Sequence, residues 1–165
     1  MKVKLTTSLG DITLELAADK APATVENFLS YVDSGHYNGT IFHRVIEDFM
    51  IQAGGLDEDM TTLPVGEPVR NEADNGLSNV LGAVAMARTS DPHSARAQFF
   101  INTSDNAFLD HKNTSDDGWG YCVFARVLEG MDVVEKIEET PTTSRGGHRD
   151  VPETIIRIEE AVRLE

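Results

Sequence analysis

Two stretches of alternating apolar and polar residues open the chain and predict a β-hairpin. The polar turn Ser8-Leu9-Gly10-Asp11 separates the two stretches. Alternation places every second side chain on the same face of an extended strand. We therefore expect two paired strands, with these positions on one face: Val3, Leu5, Thr7, Ile12, Leu14 and Leu16.

The next segment, residues 21–32, has the spacing of an amphipathic helix. Pro22 suits the first helical turn, where its missing N–H costs nothing, and Gly35 lies where the helix is expected to end. One helical face carries the apolar residues Val25, Phe28, Leu29 and Val32.

Short strands recur through the rest of the chain, with one further helix. Residues 54–79 and 142–150 are predicted to be loops, the first rich in Gly, Pro and acidic residues and the second containing Gly146-Gly147. Many short strands with two isolated helices indicate a mainly β fold, a closed antiparallel barrel that leaves no free sheet edge. The remaining elements are predicted as strands at 40–46, 49–53, 80–87, 98–102, 122–127 and 154–164 and a helix at 131–138.

Length and composition favour one domain over residues 1–165. The chain is 40% apolar, and a chain of this length buries about 70% of its unfolded surface. The first eight residues contain two lysines but no continuous apolar run, so no signal peptide is predicted. No apolar stretch is long enough to span a bilayer. We expect a cytoplasmic protein whose sole cysteine, Cys122, is a buried and inert thiol.

The charge balance is strongly acidic, with 28 acidic against 14 basic residues and a formal charge of −14. Binding to nucleic acid phosphates needs a basic stripe, and none is visible, so we exclude that function. The acidic residues form short dispersed clusters, which we interpret as solvated surface charge. Adaptation to a salty cytoplasm, where screening relieves self-repulsion, is the alternative. Nothing in the sequence indicates an obligate interface, so we expect a monomer.

Residues 42–55, Phe-His-Arg-Val-Ile-Glu-Asp-Phe-Met-Ile-Gln-Ala-Gly-Gly, carry the most informative chemistry. They combine a guanidinium, a primary amide, a thioether and aromatic rings in a strand–turn–strand context, without an evident acid–base pair, activated nucleophile or metal-ligand spacing. A second block follows downstream, with Met86-Ala87-Arg88 and then Gln98-Phe99-Phe100-Ile101-Asn102. These groups suit binding and polarisation of a substrate better than bond-making chemistry.

Strand alternation sorts these side chains into two faces. Met50 shares a face with Gln52, and Gln98 shares one with Phe100, so neighbouring strands project amides and apolar groups onto one surface. Phe99 and Ile101 point the other way and are predicted to be core. We expect the Arg44 charge, between apolar neighbours, to be only partly hydrated; a snorkelling arginine or a structural ion pair is the alternative.

Together the two blocks resemble the signature of the cyclophilin-type peptidyl-prolyl cis–trans isomerases. The rest of the chain follows that family at nearly full length and is closest to the short single-domain bacterial members. The resemblance implies an eight-stranded antiparallel barrel capped at each end by a helix. It also implies cofactor-independent acceleration of X–Pro bond rotation in unfolded or flexible chains, which assists protein folding.

The same resemblance implies roles for individual residues. Arg44 is the central catalytic residue, and Gln52 holds both Arg44 and the substrate backbone. Gln98 and the backbone of Arg88 align the peptide, while Ala87 borders the neighbouring specificity pocket. The hydrophobic proline pocket is lined by Phe49, Met50, Phe100 and Leu109.

The chain departs from the best-known family pattern at four positions. Phe108 stands where many eukaryotic members have the tryptophan that binds cyclosporin, so we expect catalysis to survive and cyclosporin binding to be weak. Tyr121 replaces a pocket histidine and Ala53 a glycine, and Arg88 replaces a common asparagine. Because the Arg88 position mainly offers backbone groups, we expect altered substrate preference rather than lost activity.

Two other functions stay open at this point. A proline-peptide-binding chaperone module with incidental isomerase activity needs the same groove. A metal-dependent or serine hydrolase finds little support, because the five histidines are scattered without metal-ligand spacing. Asp91-Pro92-His93-Ser94 contains triad residue types, but adjacent residues seldom form a triad. We predict no metal site and no cofactor.

Overall fold

The computed structural model describes residues 1–164, which form ten strands and two α-helices. The helices are α1 (Pro22–Asp33) and α2 (Met131–Glu138). The strands are β1 (Lys2–Thr7), β2 (Gly10–Leu16), β3 (Thr40–Ile46), β4 (Met50–Asp57), β5 (Ala83–Met86), β6 (Phe99–Asn102), β7 (Val123–Glu129), β8 (Thr142–Arg145), β9 (His148–Pro152) and β10 (Ile158–Leu164). No helix among these residues is long and apolar enough to cross a membrane.

Eight of the strands form one curled antiparallel sheet in the order β10-β1-β2-β7-β5-β6-β4-β3. Its two edge strands, β10 and β3, come together at an isolated bridge between Ile41 and Arg157. Nearby, the Phe42 N–H donates to the Ile156 carbonyl at 2.9 Å and the Gly39 N–H to the Ile158 carbonyl at 2.8 Å. These contacts do not make a continuous ladder, so the mainly β fold is confirmed while the predicted closed barrel is not.

The main core lies between the concave face of the sheet and the two helices. Phe28 of α1 is its aromatic centre, with ring centroids 5.0 Å from Phe124, 5.2 Å from Tyr37 and 5.5 Å from Phe99. All four rings are fully buried. Burying one such side chain contributes about 1.5–3 kcal/mol, so the helical stripe predicted from the sequence is what fixes α1 against the sheet.

The N-terminus of α1 is held by a residue that is distant in the sequence. Ala21, at the cap position, offers no side-chain acceptor. The carboxylate of Glu72 takes its place: Oε1 accepts hydrogen bonds from the Thr24 N–H at 2.8 Å and from the Thr24 hydroxyl at 2.7 Å. A negative charge at this end also interacts favourably with the positive pole of the helix dipole. The long segment after β4 is thereby anchored to α1.

The sequence predicted most elements within a few residues and one of them wrongly. Residues 142–150 are not a loop, because β8 and β9 form a separate two-stranded hairpin. Gly146 and Gly147 have φ of 57° and 82° and form the two-residue turn, which requires left-handed backbone at both positions. The hairpin is largely exposed, so its strands lack the apolar alternation by which the other strands were found.

A smaller apolar cluster lies on the opposite face of the sheet, where side chains alternate away from the main core. Phe99 and Ile101 of β6 are fully buried in the main core, as predicted. Their neighbour Phe100 points the other way and packs with Met50 of β4. The members of this second cluster are Met50, Ala83, Ala85, Phe100 and Val123. This cluster forms the floor of a cavity.

Candidate active site

A cavity of about 210 Å³ opens above this second cluster. Nine residues line it, and all nine belong to the eleven site residues predicted from the sequence. Gln98 and Phe108 are the two predicted residues outside this lining, and both contact it through neighbours. The lining residues are Arg44, Phe49, Met50, Gln52, Ala87, Arg88, Phe100, Leu109 and Tyr121.

Strand pairing brings the polar groups together on one side of the cavity. Arg44 of β3 pairs with Gln52 of β4, which pairs in turn with Phe100 of β6. Arg44 Nη1 donates to Gln52 Oε1 over 3.4 Å. The Arg44 residue is exposed between the buried residues His43 and Val45, and the partial hydration of its charge stays a prediction. Arg44 forms no ion pair with a carboxylate of residues 1–164, which removes the structural ion pair as an explanation.

Gln98, the residue immediately before β6, orients Gln52. Gln52 Nε2 donates to Gln98 Oε1 at 2.8 Å, which leaves the Gln52 carbonyl oxygen facing Arg44. Gly55 makes room for this arrangement, because a Cβ there would lie 2.3 Å from Gln98 Nε2. Gly55 is therefore required for steric reasons. The glycine pair Gly54-Gly55 is visible in the sequence, but this role was not predicted from it.

Apolar and aromatic groups form the floor and the outer wall. Met50 and Phe100 are only 2% and 4% exposed. Phe108 is 63% exposed and stacks on Phe49, with centroids 5.9 Å apart and planes 22° from parallel. Tyr121 meets Phe100 edge-on at 5.7 Å. The floor is thus preformed and buried, whereas the outer wall is a pair of stacked rings with one face in water.

Arg88 is part of the wall through its side chain as well as its backbone. Its Nε donates to the Gly120 carbonyl at 3.1 Å and its Nη1 to the Thr89 carbonyl at 2.8 Å. The guanidinium carbon lies 4.5 Å from the centre of the Tyr121 ring, a cation–π contact. The backbone N–H and carbonyl of Arg88 make no hydrogen bond within residues 1–164. They are free to pair with an extended ligand.

A buried amide network supports the wall and was not found from the sequence. Asn106 Nδ2 donates to the Phe49 carbonyl at 2.9 Å and to Asn102 Oδ1 at 2.8 Å. Asn102 is fully buried, and its own Nδ2 donates to Asn79 Oδ1 at 3.0 Å. Asparagines are common in turns, so their sequence positions gave no sign of this role.

The Asp110 carboxylate holds the segment that carries Phe108 and Leu109. It accepts hydrogen bonds from the Asn79 N–H at 2.7 Å and from the Ser78 hydroxyl. Burial raises the pKa of Asp110, but the hydrogen bonds from Ser78 and Asn79 outweigh that effect and hold the pKa below its ordinary value. The carboxylate therefore serves the wall as a charged acceptor rather than as an acid.

The groups that suggested a hydrolase do not form a catalytic set. Ser94 Oγ donates to the Asp91 carbonyl at 2.7 Å, and His93 Nδ1 accepts the Asn71 N–H at 3.1 Å. Within residues 1–164 no hydrogen bond joins Ser94 to the His93 ring, so the serine has no base. The other reactive candidate, Cys122, is buried as predicted, and burial raises its thiol pKa to about 11.

Comparison with known proteins places the chain in a family. The model of the cyclophilin type peptidyl-prolyl cis-trans isomerases matches residues 2–163. A peptidyl-prolyl cis-trans isomerase of Streptomyces antibioticus is 60% identical over 159 residues, which are 96% of either chain. Peptidyl-prolyl cis-trans isomerase B of Escherichia coli (strain K12) is 56% identical over 153 residues, 93% of either chain.

The fold agrees with these relationships. A Cryptosporidium parvum cyclophilin type isomerase, crystallised in the presence of the dipeptide Ala-Pro, superposes with a TM-score of 0.80. It is 27% identical, and the match covers 100% of this chain and 99% of that one. Since sequence, fold and cavity agree over almost the whole chain, the protein belongs to the cyclophilin-type peptidyl-prolyl cis–trans isomerases.

Proposed function

We propose that the 210 Å³ cavity is where this isomerase rotates X–Pro peptide bonds, with Arg44 as the catalytic donor. The observation that carries the proposal is the composition of the lining. Two guanidiniums, of the exposed Arg44 and the half-buried Arg88, and one amide lie beside a buried apolar floor, and the lining contains no carboxylate, serine or cysteine. This arrangement suits a reaction in which no covalent bond is made or broken.

The reaction needs only preferential binding of its transition state. Amide resonance gives X–Pro rotation a barrier of about 18–20 kcal/mol, and uncatalysed rotation takes on the order of tens of seconds. At the twisted geometry resonance is lost, and the proline nitrogen becomes pyramidal with a free lone pair. A site that binds this twisted amide better than either planar isomer lowers the barrier.

Arg44 is placed to bind that lone pair. Its guanidinium is permanently charged and has five N–H donors, of which one makes the long 3.4 Å hydrogen bond to Gln52. The others are available to a substrate. A proline ring on the Met50 and Phe100 floor displaces water from the cavity, which strengthens a hydrogen bond from Arg44 to the pyramidal nitrogen.

The remaining residues hold the peptide still while the bond turns. Gln52, fixed by Gln98, orients Arg44 and offers its amide to the substrate backbone. The unpaired N–H and carbonyl of Arg88 align an extended peptide beside the cavity. The proline ring is enclosed by Phe49, Phe108, Leu109 and Tyr121. The small side chain of Ala87 borders the neighbouring specificity pocket and leaves room there for a substrate side chain. Proline-containing peptides and flexible chains are the substrates, consistent with the Ala-Pro dipeptide present with the Cryptosporidium parvum relative.

The cis-to-trans rate of an Ala-Pro-Phe reporter peptide at low temperature tests the proposal. Arg44→Ala should lower kcat/KM about 100- to 1,000-fold, the usual effect of removing one transition-state donor. Arg126→Gln removes a charge on β7, outside the cavity, and should leave the rate unchanged. Circular dichroism must show that both variants fold. A folded Arg44→Ala protein with the wild-type rate would refute the role of Arg44.

The affinity of Arg44→Ala for a proline peptide distinguishes a catalytic role of Arg44 from a role in peptide binding alone. If Arg44→Ala binds a proline peptide with the wild-type Kd but exchanges its isomers slowly, Arg44 acts on the transition state. A parallel loss of rate and affinity would instead favour the binding module with incidental activity. The single domain, monomeric state, cytoplasmic location and weak cyclosporin binding stay predictions from the sequence.

A further inference from the structure

A second cavity, of about 520 Å³, adjoins the proposed active site. The two cavities share three lining residues: Gln52, Ala87 and Arg88. In an extended peptide, side chains two residues apart lie on the same side and about 6–7 Å from each other. A substrate whose proline occupies the first cavity therefore places a nearby side chain in the second.

The second cavity is basic although the protein is strongly acidic. Its lining includes Arg88 and Arg96 and no Asp or Glu, in a chain of 28 acidic and 14 basic residues. With Arg44, three guanidiniums line the two cavities, again without a carboxylate. This local excess of positive charge is opposite in sign to the net charge of −14.

The two arginines differ in how they are held. Arg88 is fixed by its bonds to the carbonyls of Gly120 and Thr89 and by the Tyr121 ring, so it acts as a stationary positive charge. Arg96 is exposed, and its guanidinium has no hydrogen-bond or ion-pair partner within residues 1–164. A ligand carboxylate reaching this cavity thus finds a free fork-shaped donor.

Of the six arginines outside the two cavities, four pair with a carboxylate, whereas Arg145 and Arg149 form no ion pair within residues 1–164. In the described part of the chain, Arg126 pairs with Glu15 at 2.7 Å and Arg163 with Asp33 at 2.6 Å. Arg70 and Arg157 also have carboxylate partners. The protein has acidic residues to spare for such pairs, yet none lines either cavity. The counter-charge for Arg96 must come from solvent ions or from the substrate.

We propose that the second cavity selects an acidic side chain, Asp or Glu, within three positions of the substrate proline. Arg96 binds the carboxylate, and Arg88 adds a fixed positive potential. The inference rests on the proposed function of the first cavity and specifies its substrate class. The attraction is local, because at about 0.1–0.15 M salt charges are screened beyond about 8–10 Å.

The preference for an acidic side chain should be modest, and it should affect substrate binding rather than the rate of bond rotation. An ion pair between exposed groups changes an equilibrium constant by about fivefold at most, so we expect kcat/KM for a Glu peptide to exceed that for its Gln counterpart by about three- to fivefold. The contact is remote from the rotating bond and is made equally before and during rotation. It should therefore lower KM and leave kcat unchanged.

Isomerisation of a matched peptide panel tests the proposal. Each peptide carries Glu, Gln or Lys at one position up to three residues before or after the proline. Wild type should prefer Glu over Gln over Lys at one of these positions, and about 1 M salt should remove the preference. Arg96→Gln should reduce the Glu-to-Gln ratio to near one, and Arg96→Glu should invert it in favour of Lys. The control Arg126→Gln makes the same charge change at a different cavity and should keep the wild-type ratio.

The outcomes separate this inference from the proposed function. Equal turnover of Glu, Gln and Lys peptides by an active wild type would overturn the acidic preference and leave the role of the first cavity intact. A preference that survives in Arg96→Gln would overturn the role of Arg96. Failure of wild type to accelerate any peptide would overturn both proposals.

Discussion

Arg44 and Gln52 face each other across β3 and β4, joined by one hydrogen bond of 3.4 Å from Nη1 to Oε1. This distance exceeds the usual range of about 2.7–3.2 Å for an N–H donor to oxygen. By contrast, Gln52 Nε2 donates to Gln98 Oε1 at 2.8 Å. Gln52 is thus held firmly by Gln98 and only weakly engages Arg44. The guanidinium is oriented without its donors being consumed.

Gln52→Glu should therefore reduce activity by strengthening this contact. A carboxylate at this position can form a charge-assisted, bidentate pair with Arg44 and neutralise the charge offered to the proline nitrogen. We expect kcat/KM to fall about tenfold or more, with no loss of thermal stability. Reporter-peptide kinetics and a melting curve check both points.

The matched control is Gln98→Glu. It adds the same negative charge one strand away and keeps an acceptor for Gln52 Nε2. We expect a clearly smaller loss of activity. Equal losses in both variants would mean that added charge in the groove, and not pairing with Arg44, is responsible.

Phe108→Trp should increase cyclosporin binding without altering catalysis much. Phe108 is 63% exposed and stacks on Phe49, so a larger ring extends into solvent and needs no repacking of the floor. The indole adds the N–H donor that the family resemblance associates with cyclosporin. Inhibition by cyclosporin should tighten by about tenfold, the usual value of one good hydrogen bond in a dry contact. Unchanged inhibition in a folded, active variant would show that Phe108 is not what limits cyclosporin binding.

Acid should destabilise the fold through His43, which is 5% exposed and whose Nδ1 has no hydrogen-bond partner within residues 1–164. Burial, aided by the nearby His148 and Arg44, lowers the His43 pKa from 6.5 to about 4. Between these values only the unfolded state takes up the proton. The free energy of unfolding should therefore fall by about 2–3 kcal/mol as the pH drops from about 6.5 to about 4.

Chemical denaturation at several pH values, compared between wild type and His43→Phe, isolates this effect. The variant has no titrating group at the site, so its unfolding free energy should depend less on pH across that window. Carboxylates contribute equally to both proteins and cancel in the difference. Parallel curves for the two proteins would show that His43 does not carry the acid sensitivity.

Glu72→Ala should destabilise the protein although Glu72 lies in an irregular segment. The substitution removes the acceptor for the Thr24 N–H and hydroxyl and leaves the first turn of α1 uncapped. Loss of a cap costs about 1 kcal/mol of unfolding free energy, and up to about 2 where the contact is partly buried. Glu67→Ala, at an exposed residue of the same segment, makes the same charge change and should have little effect. Equal destabilisation by both would rule out capping.

The strands and helices that bury one face were predictable because burial leaves a periodic trace in the sequence. The helix predicted at residues 131–138 matches α2, and α1 differs from its prediction by one residue at each end. The β8–β9 hairpin left no such trace, since its side chains are largely in water. Its only local signal, Gly146-Gly147, fits a loop as well as a tight turn.

Of the nine residues that line the cavity, seven lie in the two blocks that were recognisable in the sequence. The other two, Leu109 and Tyr121, were predicted from the family resemblance alone. The supports were missed, because Asn79, Asn102 and Asn106 act through contacts across the fold. Arg96 was missed for the same reason: it lies outside both blocks and reaches the groove only because β6 places the preceding loop beside β4.

The sequence alone determined which side chains this protein can use: a guanidinium beside amides and apolar rings, within strands whose alternation separates site from core. Alternation of apolar and polar residues depends only on the local sequence, so residues 42–55 and 98–102 show it irrespective of where the fold places them. The tertiary structure decided which of these strands are neighbours, and in what register. It therefore set the Arg44–Gln52–Gln98 chain of hydrogen bonds, the capping of α1 by Glu72 and the basic second cavity. Except for Arg44–Gln52, which are eight residues apart in one hairpin, those contacts join residues far apart in the chain. Packing and pairing between elements, not propensities within them, determine where such residues meet.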